Sequence, residues 1–156
     1  MHGENQDEHH HGHEERAVPR HLRPCLFRCP EHRLARKEVE QHPAADPQRD
    51  EGLFWLAEMM YRSDLLRNAQ DVYEELVNRY TASPRREDAL YGLAWTFFRK
   101  REFDKSIKAF GALLDAFPQS SYAVDAMVRR GDALFISRSY SQAAEQYRRA
   151  ARTAPN

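Results

Sequence analysis

The sequence predicts an all-α fold: a right-handed α-solenoid of three antiparallel helical hairpins over residues 50–156, behind a disordered N-terminal tail of residues 1–49. Three observations predict it. After residue 50, apolar residues recur at spacings of three, four and seven, the period of one helical face. That pattern then repeats itself with a step of 37 residues. Finally, composition changes near Pro47-Gln48-Arg49. All eight histidines, both cysteines and five of the eight prolines precede this point, while every Trp and Tyr and seven of the eight Phe follow it.

The three units run 50–86, 87–123 and 124–156. In the first helix of each, Leu53, Leu90 and Met127 share one position, followed by Leu56, Leu93 and Arg130. A small residue comes next, Ala57, Ala94 or Gly131, then Met60, Phe97 or Leu134. Without bulk at the small position a second helix can approach closely. Leu66, Phe103 and Tyr140 open the second helices. Small residues follow again at Ala69, Ser106 and Ala143, then Tyr73, Phe110 and Tyr147, then Leu76, Leu113 and Ala150. Each unit ends near a helix-breaking proline, which lacks an N–H and clashes with the preceding turn: Pro84 after Thr81, Pro118 and Pro155.

These positions resemble the signature of the tetratricopeptide-repeat (TPR) family, W-x2-L-G-x2-Y, then A-x3-F, then P. The resemblance covers residues 50–156 and holds in register three times. The step of 37 residues exceeds the family's usual period of about 34, the surplus falling at Thr81–Arg86 and Gln119–Ala123. The segment Phe117-Pro118-Gln119-Ser120-Ser121-Tyr122-Ala123 is similar in style to bacterial envelope repeats, those of the TolA-binding cell-division coordinator and of the outer-membrane assembly lipoprotein. Those families hold partner proteins, so the resemblance implies a non-catalytic protein–protein interaction module, a fragment of a longer bacterial repeat protein.

In such arrays the first helices line a groove. Side chains there that leave the core face are the candidate contacts: Phe54, Glu58, Tyr61 and Arg62 in unit one; Tyr91, Trp95, Phe98 and Arg99 in unit two; Val128, Asp132 and Phe135 in unit three. Aromatic residues supply large contact area and are enriched at binding hot spots. Tyr61, Phe98 and Phe135 share one position and divide their surface between contact and inter-unit packing, whereas Tyr91 and Trp95 are expected to face outward. One TPR class grips a C-terminal carboxylate with Lys, Asn and Arg at groove positions that here hold Phe54, Tyr91, Val128, Glu58, Trp95 and Asp132. An apolar or amphipathic protein segment therefore fits better. The uncapped terminal repeats offer surfaces for self-association.

The first 49 residues carry the competing reading, a metal-binding protein whose His/Cys-rich tail handles zinc or another divalent metal. His21, Cys25, Cys29 and His32 form H-x3-C-x3-C-x2-H, four potential tetrahedral ligands. The familiar pairs are C-x2-C or C-x4-C, however, and a three-residue loop between pairs, restricted by Pro24 and Pro30, strains such a site. Unpaired cysteines in a loose segment are the simpler reading. So is a His9-His10-His11-Gly12-His13 run that takes metal only adventitiously. The composition of this stretch also matches a misread gene start, and Glu38-Val39-Glu40-Gln41-His42-Pro43-Ala44 resembles the tail of a preceding unit.

Lys plus Arg equals Asp plus Glu at 24 each, so net charge gives no argument for nucleic acid or an anionic membrane. No apolar run is long enough to span a bilayer and no signal-peptide core opens the chain. The chain as written is expected in the cytoplasm, or in the periplasm if it belongs to an exported parent. Residues 50–156 contain no His, no Cys and no nucleophile, P-loop or zincin motif. No enzyme activity and no cofactor are expected.

Overall fold

The computed structural model describes residues 32–41 and 47–154. Among these the chain forms seven helices and no strand: α1 (His32–Gln41), α2 (Pro47–Arg62), α3 (Leu66–Arg79), α4 (Arg86–Arg99), α5 (Phe103–Ala116), α6 (Ala123–Ile136) and α7 (Tyr140–Thr153). Each helix packs on the helices next to it in the chain, and α2 also touches α4. This is an all-α, TPR-like solenoid, with α2–α3, α4–α5 and α6–α7 as its hairpins.

Helix crossings follow the small residues. Ala57, Ala94, Ala69, Ser106 and Ala143 are almost wholly buried, and Gly131 is buried beneath Tyr147. Ser106 is the polar member of its series. Its hydroxyl donates to the Ala94 carbonyl at 3.0 Å, across the α4–α5 crossing, which satisfies the buried oxygen. The large residues of the second helices, Tyr73, Phe110, Leu76 and Leu113, fill the core.

Every hairpin turns in one way. Asp64, Arg101 and Arg138 have φ of 61°, 61° and 63°. The next N–H donates back five residues: Leu65 to Met60, Glu102 to Phe97 and Ser139 to Leu134, each at 2.9 Å. That is a Schellman ending, built three times without the glycine that favours it.

The links between units also recur, but not through proline alone. Ser83 Oγ accepts from the Arg85 N–H at 3.1 Å, and Ser120 Oγ from the Tyr122 N–H at 3.0 Å. Arg86 N–H donates to Ser83 O, and Ala123 N–H to Ser120 O, at each start of the next helix. Pro84 and Pro118 stand at different offsets from these serines. The shared device is a serine turn.

The structure corrects the tail. Residues 32–41, expected to be disordered, form α1 and pack on α2. Ala35 and Val39 are buried. They lie one 37-residue step before Val72 and Leu76, so α1 takes the place of a second helix from a preceding unit. The physical reason is Gly52, whose missing Cβ leaves room for Val39; a Cβ there would sit 2.8 Å from Val39 Cγ2. Arg36 adds a 3.2 Å ion pair with Glu75 on α3.

Candidate functional site

The first helices α2, α4 and α6 present one continuous face, laced by side chains that reach between units. Glu51, Asp88 and Asp125 share one repeat position. Arg85, just before α4, reaches back to Glu51 (Nη2–Oε1 2.6 Å), and Tyr122, just before α6, donates its hydroxyl to Asp88 at 2.8 Å. Arg85 also pairs with Asp88 at 3.1 Å and lies over the rings of Phe54 and Trp55, at 5.0 and 5.7 Å. The Arg85 guanidinium is held further above its ordinary pKa, chiefly by its hydrogen bonds to Glu51.

A parallel row runs from α4 to α6. Tyr91 stacks on Tyr122 at 4.4 Å with 13° between the rings, and its hydroxyl donates to Asp125 at 2.6 Å. Burial and then the Asp125 carboxylate push the Tyr91 phenol far above its usual pKa. Arg129 pairs with Asp125 and Asp132 at 3.3 and 3.1 Å and lies 5.1 Å over the Trp95 ring.

The position of Glu58, Trp95 and Asp132 serves the second helix of its own unit. Tyr73 donates to Glu58, and Tyr147 to Asp132 at 2.9 Å. In the middle unit Phe110 meets Trp95 edge-on at 6.3 Å. Burial pushes the Tyr73 phenol well up, with Glu58 adding to it. The Tyr147 phenol, desolvated and bonded to Asp132, is pushed up to about 12.

Phe54 and Tyr91, expected on the open face, are each only 6% exposed. Arg85 covers the first, and Tyr122 stacks on the second. Trp95 is half-buried among Tyr91, Phe98 and Phe110. Arg62, Arg99 and Phe135 are exposed, while Glu58, Tyr61, Phe98, Val128 and Asp132 are partly so. Arg99 lies 4.6 Å over the Tyr61 ring and reaches Asp64 at 2.9 Å, so the cation and the ring form one composite surface between units.

Sequence reasoning placed Glu51, Asp88 and Asp125 on the groove face but missed Arg85, Tyr122 and Arg129, which carry the inter-unit lacing with them. Their signal is a second spacing: Glu51 and Arg85, Asp88 and Tyr122, and Tyr91 and Asp125 are each 34 residues apart.

His21, Cys25 and Cys29, the metal candidates, lie outside the described residues, and His32 opens α1. Among the described residues no group of three His, Cys, Asp or Glu side chains could hold a metal ion. No helix among them is long and apolar enough to cross a membrane.

A family model for the tetratricopeptide repeat matches residues 60–121 and again 91–156. No curated protein matches the chain. Together the two matches run from the end of α2 through α7. The chain belongs to the tetratricopeptide-repeat family.

Proposed function

We propose that the chain is a non-catalytic protein–protein interaction module whose first-helix face holds an apolar or amphipathic segment of another protein. One observation carries this reading: Trp95 and Phe98, in edge contact at 5.6 Å, remain partly exposed in the middle of the face. Exposed Arg62 and Arg99 flank them. Aromatic area with a guanidinium rim is the composition of a binding hot spot. Glu58, Tyr61, Val128, Asp132 and Phe135 extend the same surface toward both ends, and Phe54 and Tyr91 support it from beneath. Similarity in repeat style to bacterial envelope proteins favours a partner-holding role of that kind. Self-association through the terminal repeats is the alternative use of the same fold.

The face can be tested without knowing the partner. A photo-crosslinking residue placed at Val128, on α6, is expected to capture a discrete protein that the same residue at Lys108, on the exposed side of α5, does not. Capture should fall when Arg62 and Arg99 are both changed to Ala. Equal capture from both positions, or capture indifferent to the arginines, sinks the reading.

A further inference from the structure

The repeat supplies its own description of a surface that nothing covers among the described residues. The first junction seats α4 on α3, and the second seats α6 on α5. The equivalent surface on α6–α7 exposes Phe135 by 57%, Ile136 by 47%, Tyr140 by 56% and Tyr147 by 36%. One unit earlier, Phe98 and Phe103 are only partly exposed and Phe110 is fully buried. The local geometry is unchanged, since the Phe135 and Tyr140 rings meet edge-on at 5.2 Å and those of Phe98 and Phe103 at 5.5 Å. What differs is the neighbour.

The two junctions also indicate what kind of neighbour fits. At the first, the hairpin turn holds Asp64, and the incoming helix brings Arg99 over the Tyr61 ring. At the second, the turn holds Arg101, and the incoming helix carries Ile136 in the place of Arg99. An acid in the turn goes with an arriving arginine, a base with an arriving aliphatic residue. The open surface has Arg138 in its turn and so follows the second case.

Charge adds a further requirement. Arg148 on α7 stands where Gly111 stands on α5, and a Cβ on Gly111 would lie 3.5 Å from the Arg130 guanidinium of the arriving α6. A helix seated on α7 in the same way sets that residue against Arg148, where a carboxylate is attracted and a base repelled. Arg149 and Arg152 are also exposed on α7, whose sole acid is Glu145.

We propose that the open face of α6–α7 docks an acidic amphipathic helix of another protein, seated as a first helix of a further unit would be. An aliphatic side chain covers Phe135, and a carboxylate faces Arg148. A second copy of this chain is the poorer occupant. Its first helices α2, α4 and α6 are already seated on α1, α3 and α5, and two such basic faces repel each other.

The probe is a fluorescein-labelled, stapled peptide with the α6 sequence, Ala123–Ile136, carrying glutamate in place of both Arg129 and Arg130. Stapling offsets the cost of ordering so short a helix. Anisotropy titration with the full chain is expected to show saturable binding, about tenfold or more tighter than for the unsubstituted α6 peptide. Phe135→Ser with Ile136→Ser should weaken it by about tenfold or more while helicity is unchanged. Arg148→Glu should reverse the preference between the two peptides, and Arg62→Ala should change nothing. The proposal is overturned if the acidic peptide fails to saturate or if the double serine variant binds it equally. It also fails if Arg62→Ala abolishes binding, which would place the peptide on the first-helix face instead. Sedimentation showing a dimer that Phe135→Ser dissolves would give the face to a second copy and overturn it as well.

Discussion

The middle hairpin and the last hairpin are written in nearly the same pattern, yet they are not equally folded into the core. Phe110 on α5 is completely buried, and Tyr147, at the same position on α7, is 36% exposed. Leu114 on α5 is buried and Ala151 on α7 is exposed. Burial in this molecule belongs to junctions rather than to repeats. A unit with neighbours on both sides closes over more of its aromatic residues, and a unit with one neighbour among the described residues leaves them more open. In a solenoid each unit contacts only those beside it, so stability is a sum of unit and junction terms.

The sharpest way to break this comparison is to truncate both aromatics. Phe110→Ala is expected to cost about 3–5 kcal/mol, because a wholly buried ring leaves a cavity that Trp95 and Tyr91 cannot fill. Tyr147→Ala removes a part-exposed ring and one exposed hydrogen bond to Asp132, and should cost no more than about 1 kcal/mol. Urea denaturation followed by circular dichroism measures both. Equal losses would mean that α7 is as firmly seated as α5 and that the junction account is wrong.

Two glycines sharpen the point. A Cβ on Gly92 would lie 2.5 Å from Tyr73 Cζ, inside the fully buried core. A Cβ on Gly131 would lie 2.6 Å from Tyr147 Cε1, against a ring with solvent on one side. Both glycines sit within helices, where alanine is intrinsically better by about 1 kcal/mol. Gly92→Ala should nonetheless destabilise by roughly 1–3 kcal/mol through overpacking. At Gly131 the Tyr147 ring can swing outward, so the strain and the propensity gain nearly cancel. The melting temperature of Gly131→Ala should stay close to that of the wild type, with Gly92→Ala well below. A large drop at Gly131 would show that Tyr147 is held as tightly as Tyr73.

Much of the hairpin pattern was legible because each slot's chemistry is local: a small residue permits a close crossing wherever it falls. The openings of α3, α5 and α7 at Leu66, Phe103 and Tyr140 are those expected from the sequence. α1 was legible only at its end, where Glu38-Val39-Glu40-Gln41 resembles the tail of a preceding unit; its charged composition hides the face that buries Ala35 and Val39. Their 37-residue relation to Val72 and Leu76 was the available signal. On the first-helix face the positions were legible but their occupancy was not. Phe54 and Tyr91 leave their own unit's core face, as their spacing requires, yet Arg85 and Tyr122 arrive from the next segment to cover them. A single unit's pattern carries no information about such arrivals, whereas pairs 34 residues apart do.

Alkaline titration tests the same asymmetry through the tyrosines. Tyr73 and Tyr91 are held protonated by burial and by Glu58 and Asp125, and the Tyr147 phenol is pushed up to about 12 by desolvation and Asp132. Each folded-state pKa lies above the unfolded value of about 10. The associated stability is therefore complete below about pH 10 and lost as pH rises through the folded values. Ultraviolet difference absorbance should show Tyr147 ionising in the folded protein, and Tyr73 and Tyr91 only as helicity is lost. Ionisation of Tyr73 before unfolding would contradict its burial.

The smallest expected effect lies in the hairpin turns, where the units do not differ. Arg101 and Arg138 adopt the same left-handed backbone, with φ of 61° and 63°, and both side chains are exposed. That conformation costs an L-residue roughly 1–2 kcal/mol relative to glycine, while glycine gives back part of this through the greater entropy of its unfolded chain. Arg101→Gly and Arg138→Gly should therefore each stabilise by about 0.5–1 kcal/mol. Because the Schellman bonds Glu102 N–H to Phe97 O and Ser139 N–H to Leu134 O are both 2.9 Å, the gain should be the same at the two sites. Asp64→Gly is the instructive exception, since Asp64 also pairs with Arg99 and its removal gives up a surface ion pair worth up to about 1 kcal/mol. Chemical denaturation of the three variants separates the contributions. A gain at Arg101 without one at Arg138 would mean that the last turn frays in solution and gains nothing from a better cap, which would place the boundary between ordered and open structure inside the third hairpin rather than at its outer face.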